Sequence, residues 1–167
     1  YTTSLHFEQP GNVSLQTMVC YIKNRQGRKG LRTVAMFDSD SNTTCIDADT
    51  AKKLGLKRRS GLITQTVHTL DCKMIVKTYK VEVPLISVDG LTSQIITAYT
   101  VKDLTNSSGI VDWLKGKQNF QHLQDVPFNL SPENTKITLL IGTASDSFFF
   151  KSLNLTSQNG ACARVVK

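Results

Sequence analysis

The sequence predicts a mainly β fold carrying one or two short helices. Three observations lead there. Apolar runs are short and are cut by turn-forming stretches at residues 24–30, 38–42 and 89–90. Several runs alternate, as in Lys80-Val81-Glu82-Val83, which is the period of a half-buried strand. One segment, from Asp47 to Gly55, carries both a helix-starting carboxylate and a glycine stop.

The elements follow in order. Residues 1–12 are polar, contain Pro10-Gly11 and read as a lead-in arm before a single domain over residues 13–167. Residues 14–22 suit a strand, and the glycines and charges of 24–30 suit a hairpin loop. Residues 31–37 return as a strand that becomes fully apolar as it reaches Asp38. A small-residue loop, 38–42, leads to a short strand at 43–46. Asp47 then caps a helix over 48–54, with Asp49 in its first turn and Gly55 at its end. Residues 62–69 and 73–85 form a second hairpin, with its tip at His68-Thr69-Leu70-Asp71-Cys72. Asp89-Gly90 is a turn and 93–101 a strand. Residues 112–125 hold a short helix around Trp113, 136–141 an apolar strand ending in Gly142, and 161–166 a final strand.

Composition excludes several classes. The chain has 167 residues, and no apolar run approaches the roughly 20 needed to span a bilayer as a helix. No membrane partner is expected. Tyr1 is not a natural start, so the chain reads as a fragment. Cys20, Cys45, Cys72 and Cys162 form no CxxC pair, and His6, His68 and His122 do not stand at zinc-ligand spacing. No metal and no cofactor is expected. Four reduced thiols fit an intracellular protein. Asn-x-Ser/Thr sequons occur at Asn12, Asn42, Asn106, Asn129 and Asn154, and would matter only in a secreted parent.

The net charge is +7, and it is clustered. Arg25, Arg28, Lys29 and Arg32 form one group; Lys52, Lys53, Lys57, Arg58 and Arg59 form another. Such groups attract polyanions. They also suit a solvated turn and a helix C-terminus. Aromatic residues are not interleaved with either cluster, so nucleic acid bound through Arg25, Arg28, Lys29, Lys57, Arg58 and Arg59 is expected to be held weakly.

There is no Walker loop, Rossmann glycine fingerprint, HExxH or GxSxG. What stands out is Val34-Ala35-Met36-Phe37-Asp38-Ser39, an apolar strand that delivers one carboxylate into a turn. Asp38 has two readings. It can form or cap the turn, or it can be half of a carboxylate dyad sharing one proton between acid and base.

A later segment, Leu139-Leu140-Ile141-Gly142, repeats an apolar pair followed by Gly. Retropepsin-like proteases cross the aspartate turn with a strand of this form. The order of hairpin, Asp-Ser turn, short strand, helix, second hairpin, strand and Ile-Gly is theirs too. The series from Val13-Ser14-Leu15-Gln16-Thr17 to Cys45-Ile46, with Ala51-Lys52-Lys53-Leu54-Gly55-Leu56, resembles the aspartic protease domain of BEL/Pao-type retroelements. The resemblance covers about residues 13–166.

It implies a closed, barrel-like half of an acid protease, with Asp38 as catalytic aspartate and Ser39 bracing two such loops across a dimer. The 62–85 hairpin would be the flap over a peptide or protein substrate. Leu140, Ile141 and Gly142 would be the core crossing strand. One Asp-Ser motif per chain implies a homodimer. Position 40 departs from the family, which has glycine where this chain has Asp40. The hairpin tip also lacks glycine. Both departures open an alternative: an inactive retropepsin-fold module, from a domesticated element, used for homodimerisation or protein binding.

Overall fold

A computed structural model describes residues 17–68, 73–102, 104, 118, 124, 136–148, 152–156 and 162–166. The expected arm at 1–12, the hairpin tip at 69–72 and most of the expected helix at 112–125 lie outside them.

The chain is mainly β, with one short α-helix among the described residues. Strands β1 (Thr17–Lys23) and β2 (Lys29–Asp38) make the first hairpin. Asn24 builds its loop: its side-chain oxygen accepts from the N–H groups of Gln26 and Arg28, and Gly27 takes a positive φ of 75°. β3 (Cys45–Asp47) leads into α1 (Ala48–Lys53). Asp47 caps that helix by accepting from the Thr50 N–H at 3.0 Å, and Gly55 leaves it at φ 62°.

β4 (Ile63–His68) and β5 (Lys73–Thr78) form a separate two-stranded sheet, followed by β6 (Lys80–Ile86), β7 (Ser93–Val101) and β8 (Ile137–Gly142). A short 3-10 segment, Thr143–Phe148, follows β8. β9 (Ser152–Thr156) pairs antiparallel with β10 (Cys162–Val166).

One expectation is corrected here. Residues 73–85 are not one strand but two, broken at Tyr79. The Thr78 hydroxyl donates to the Thr100 carbonyl at 2.6 Å, and the Tyr79 N–H donates to the Thr100 hydroxyl at 3.1 Å. These bonds capture the chain as it leaves the hairpin and pass it to the barrel. Thr78-Tyr79-Lys80 holds no glycine or proline to mark that change of partner.

Six strands close a barrel in the order β1-β2-β8-β3-β7-β6. β8 lies between β2 and β3, although β2 and β3 are joined directly by the 39–44 loop. It runs parallel to β2 and antiparallel to β3. The apolar residues of β8 explain its central place: Ile137, Leu139 and Ile141 are essentially fully buried. Leu139 and Ile141 join Ile22, Ala35, Ile46 and Val83 in the main core, while Ile137 packs with Val19 and Val34 in a second buried cluster. Each such side chain contributes about 1.5–3 kcal/mol on leaving water. The expected mainly β, retropepsin-like barrel is the fold observed.

Candidate active site

Asp38 ends β2, and its Cα partner across the parallel ladder is Gly142, the last residue of β8. The two segments singled out in the sequence therefore meet. Phe37 pairs with Ile141 and Met36 with Leu140 in the same register. Leu140 is half-buried, while Ile141 and Gly142 are buried.

Gly142 threads through the loop that follows Asp38. A Cβ at that position would lie 2.5 Å from the Thr43 carbonyl oxygen and 2.7 Å from that of Ser41. Only a hydrogen fits there. The contact is fastened by hydrogen bonds. The Gly142 N–H donates to the Thr44 hydroxyl oxygen at 3.1 Å, and that hydroxyl lies 2.9 Å from the Ser145 hydroxyl. The Thr143 N–H and hydroxyl both donate to the Ser41 carbonyl, at 2.8 and 3.1 Å. Ser41 also grips its own loop, its hydroxyl donating to the Thr43 carbonyl at 2.9 Å. Thr44 is buried, and its carbonyl accepts from the Tyr99 N–H at 2.9 Å.

The result is a rigid shelf for one carboxylate. Asp38 Oδ1 accepts the N–H of Asp40 at 3.0 Å. Asp38 Oδ2 is buried and has no hydrogen-bond partner among the described residues. An unpartnered buried carboxylate oxygen is costly, because the water it gave up has not been replaced. Ser39 and Asp40 are exposed beside it. The arrangement thus offers an anchored carboxylate with one oxygen satisfied and one without a partner.

The sequence reading missed Ser41, Thr44 and Thr143 as the residues that hold the loop. Ser and Thr are common throughout the chain, and their hydroxyls acquire this role only once β8 is inserted. Of the expected flap tip, His68 ends β4 opposite Lys73, and Thr69, Leu70, Asp71 and Cys72 fall outside the described residues. The hairpin carries exposed apolar side chains at Met74 and Ile75. Among the described residues no group of three or more His, Cys, Asp or Glu side chains could hold a metal ion.

The first hairpin loop lies away from Asp38. β2 is ten residues long, so its two ends stand about 30 Å apart. Arg25 and Arg28 sit in the hairpin loop before its start, and Asp38 is at its finish.

No curated protein and no solved structure matches the chain. A family model described as aspartyl protease matches residues 27–144, a span that runs from the first hairpin loop through Asp38 and all of β8. With that match over more than half its length, and with an apolar strand threading its Asp-Ser loop inside a closed barrel, the chain belongs to the aspartyl protease family.

Proposed function

We propose that this domain is one half of a homodimeric aspartic endopeptidase of the BEL/Pao retroelement type, with Asp38 as its catalytic carboxylate. The observation that carries this reading is the unpartnered, buried Oδ2 of Asp38. A second Asp38, brought by a second copy, is the partner such an atom calls for. Two facing carboxylates hold one proton between them, since both cannot ionise easily at short range. The ionised one takes a proton from water as its oxygen attacks the peptide carbonyl carbon. The protonated one gives its proton to the carbonyl oxygen. Collapse of the tetrahedral intermediate then breaks the C–N bond, with a proton passed to the leaving amine.

Ser39 is exposed at the rim and braces the loop of the second copy. The β4–β5 hairpin, with Met74 and Ile75 exposed, serves as the flap over an extended peptide. The BEL/Pao reading rests on the sequence of residues 13–46 and on Ala51-Lys52-Lys53-Leu54-Gly55-Leu56.

Asp40 favours a second reading, an inactive module kept for dimerisation or protein binding. Its N–H still serves Asp38, as the motif glycine's would. Its carboxylate, however, adds a charge beside each half of the dyad. One experiment separates the readings. The protein, Asp38→Asn and Asp40→Gly are incubated with a mixed peptide library at acidic and neutral pH, and dimerisation is followed by sedimentation. Cleavage that Asp38→Asn abolishes supports the enzyme. Cleavage by Asp40→Gly alone supports the inactive module. A protein that stays monomeric at high concentration overturns both.

A further inference from the structure

The structure joins the two basic clusters that the sequence keeps apart. The Arg25 N–H donates to the Leu54 carbonyl at 3.2 Å, which docks the first hairpin loop on the end of α1. Gly55 turns the chain beside this contact with a positive φ of 62°, a conformation that favours glycine. The Glu82 N–H donates to the Lys57 carbonyl at 2.9 Å, which lays the segment after α1 along β6.

Between these elements lies an open cavity of about 1040 Å³. Among the described residues that line it, seven are Lys or Arg and two are acidic. One of those acids, Glu82, is already engaged by Lys57 at 3.6 Å and by Arg59. Arg25, Lys52, Lys57 and Arg58 are exposed around the cavity, as are Lys77 and Lys102.

The cavity also holds an aromatic surface that the linear sequence hides. The Arg58 guanidinium lies 4.0 Å from the centroid of the Tyr79 ring, and both residues line the space. A stacked Arg–Tyr pair is a flat platform of the kind on which nucleobases stack. Cations that track phosphates beside such a platform are the two parts of a single-strand site. A duplex offers no free base face to the pair, and an acidic peptide brings charge with no planar face.

We propose that this groove binds a single-stranded nucleic acid, its phosphates held by Arg25, Lys52 and Lys57 and a base stacked on the Arg58–Tyr79 pair. Arg25, on one side of the groove, precedes β2 while Asp38 ends it, and the groove does not depend on dyad formation.

The test uses the full 167-residue chain and a fluorescent oligouridylate of about 12 nucleotides, within the usual site size. Anisotropy should show saturable binding whose log affinity falls with log salt at a slope of about −2 to −3, as three or four phosphate contacts require. The triple variant Arg25→Gln/Lys57→Gln/Arg58→Gln should lose at least ~10-fold. The triple variant Arg28→Gln/Lys29→Gln/Lys53→Gln removes the same charge outside the groove and should lose less than ~3-fold. Tyr79→Leu should weaken binding ~5-fold or more without changing the salt slope. Urea midpoints matching the parent's show that each variant is folded. Absence of saturable binding overturns the proposal, as do equal losses from the two triple variants. Polyglutamate or duplex competing as well as oligouridylate does so too, and would reassign the groove to acidic peptides or to non-specific attraction. Because no readout involves Asp38 or peptide cleavage, failure here is distinct from failure of the protease reading.

Discussion

Replacing Gly142 by alanine tests how β8 is threaded through the Asp38 loop. The added methyl would meet the Thr43 carbonyl oxygen at 2.5 Å, the Ser41 carbonyl oxygen at 2.7 Å and the Thr43 carbonyl carbon at 2.8 Å. Ordinary contact begins at 3.4 Å, so the loop must retreat by most of an ångström. These are backbone atoms and cannot swing aside as a side chain would. Retreat also stretches the bonds from Gly142 N–H to Thr44 and from Thr143 to Ser41. Overpacking costs about 1–3 kcal/mol, and each weakened hydrogen bond adds about 0.5–1.5 kcal/mol. A loss of about 3–5 kcal/mol is expected, a large part of the 5–15 kcal/mol typical of a whole domain. With a urea slope of about 1–3 kcal/mol/M, the unfolding midpoint should drop by at least ~1 M. Gly61→Ala is the control: its Cβ would meet nothing within 4 Å, and the change should stay within about 0.5 kcal/mol. A Gly142→Ala midpoint within about 0.3 M of the parent would refute the threading argument.

Two further outcomes are expected. Asp47→Ala should cost about 1 kcal/mol in urea unfolding, because the N-cap bond to Thr50 is lost. Burial pushes the Asp47 carboxyl upward, but the hydrogen bonds from Thr50 and the nearby Lys136 together outweigh it and hold it below its ordinary value. A lowered folded value means this stability is present above the unfolded carboxyl's pKa, near 4, and is lost as pH falls through the folded one. Asp47→Asn should therefore flatten the acid limb of the stability profile below about pH 4; an unchanged limb would contradict the assignment. The thiols give the second outcome. Burial pushes Cys20 up to about 12 and Cys45 up to about 11. At pH 8 neither should react with iodoacetamide in the native protein, and both should react in urea, as read by peptide mass mapping. Rapid native labelling of either would show that the barrel is more open than described.

Much of the fold was legible in the sequence because it is local. Alternating residues bury one face of a strand whatever its neighbour, so β1, β2, β6 and β7 could be placed without knowing the sheet order. Asp47 and Gly55 act within one turn of α1, and they mark its ends directly. The Asp38-Ser39 turn and Leu140-Ile141-Gly142 were also visible as patterns, each at the end of an apolar run. Their pairing was suggested by family resemblance alone, since nothing within either segment refers to the other. The break at Tyr79 has no local mark, since Thr78-Tyr79-Lys80 holds no glycine or proline. Its cause is Thr100, which is distant in sequence.

The β class, the capped helix, the aspartate turn and a surplus of positive charge can be read from local sequence alone. Each depends on contacts between residues a few positions apart. The rest comes from contacts between distant segments. Inserting β8 between β2 and β3 sets Gly142 against Ser41 and Thr43, and it gives Thr44 and Thr143 their work. Docking the first hairpin on α1 turns two separate charge clusters into one groove, and laying residues 57–59 along β6 sets Arg58 over Tyr79. Long-range pairings of this kind follow from closing the barrel around Ile22, Ile46, Leu139 and Ile141, which no local pattern encodes.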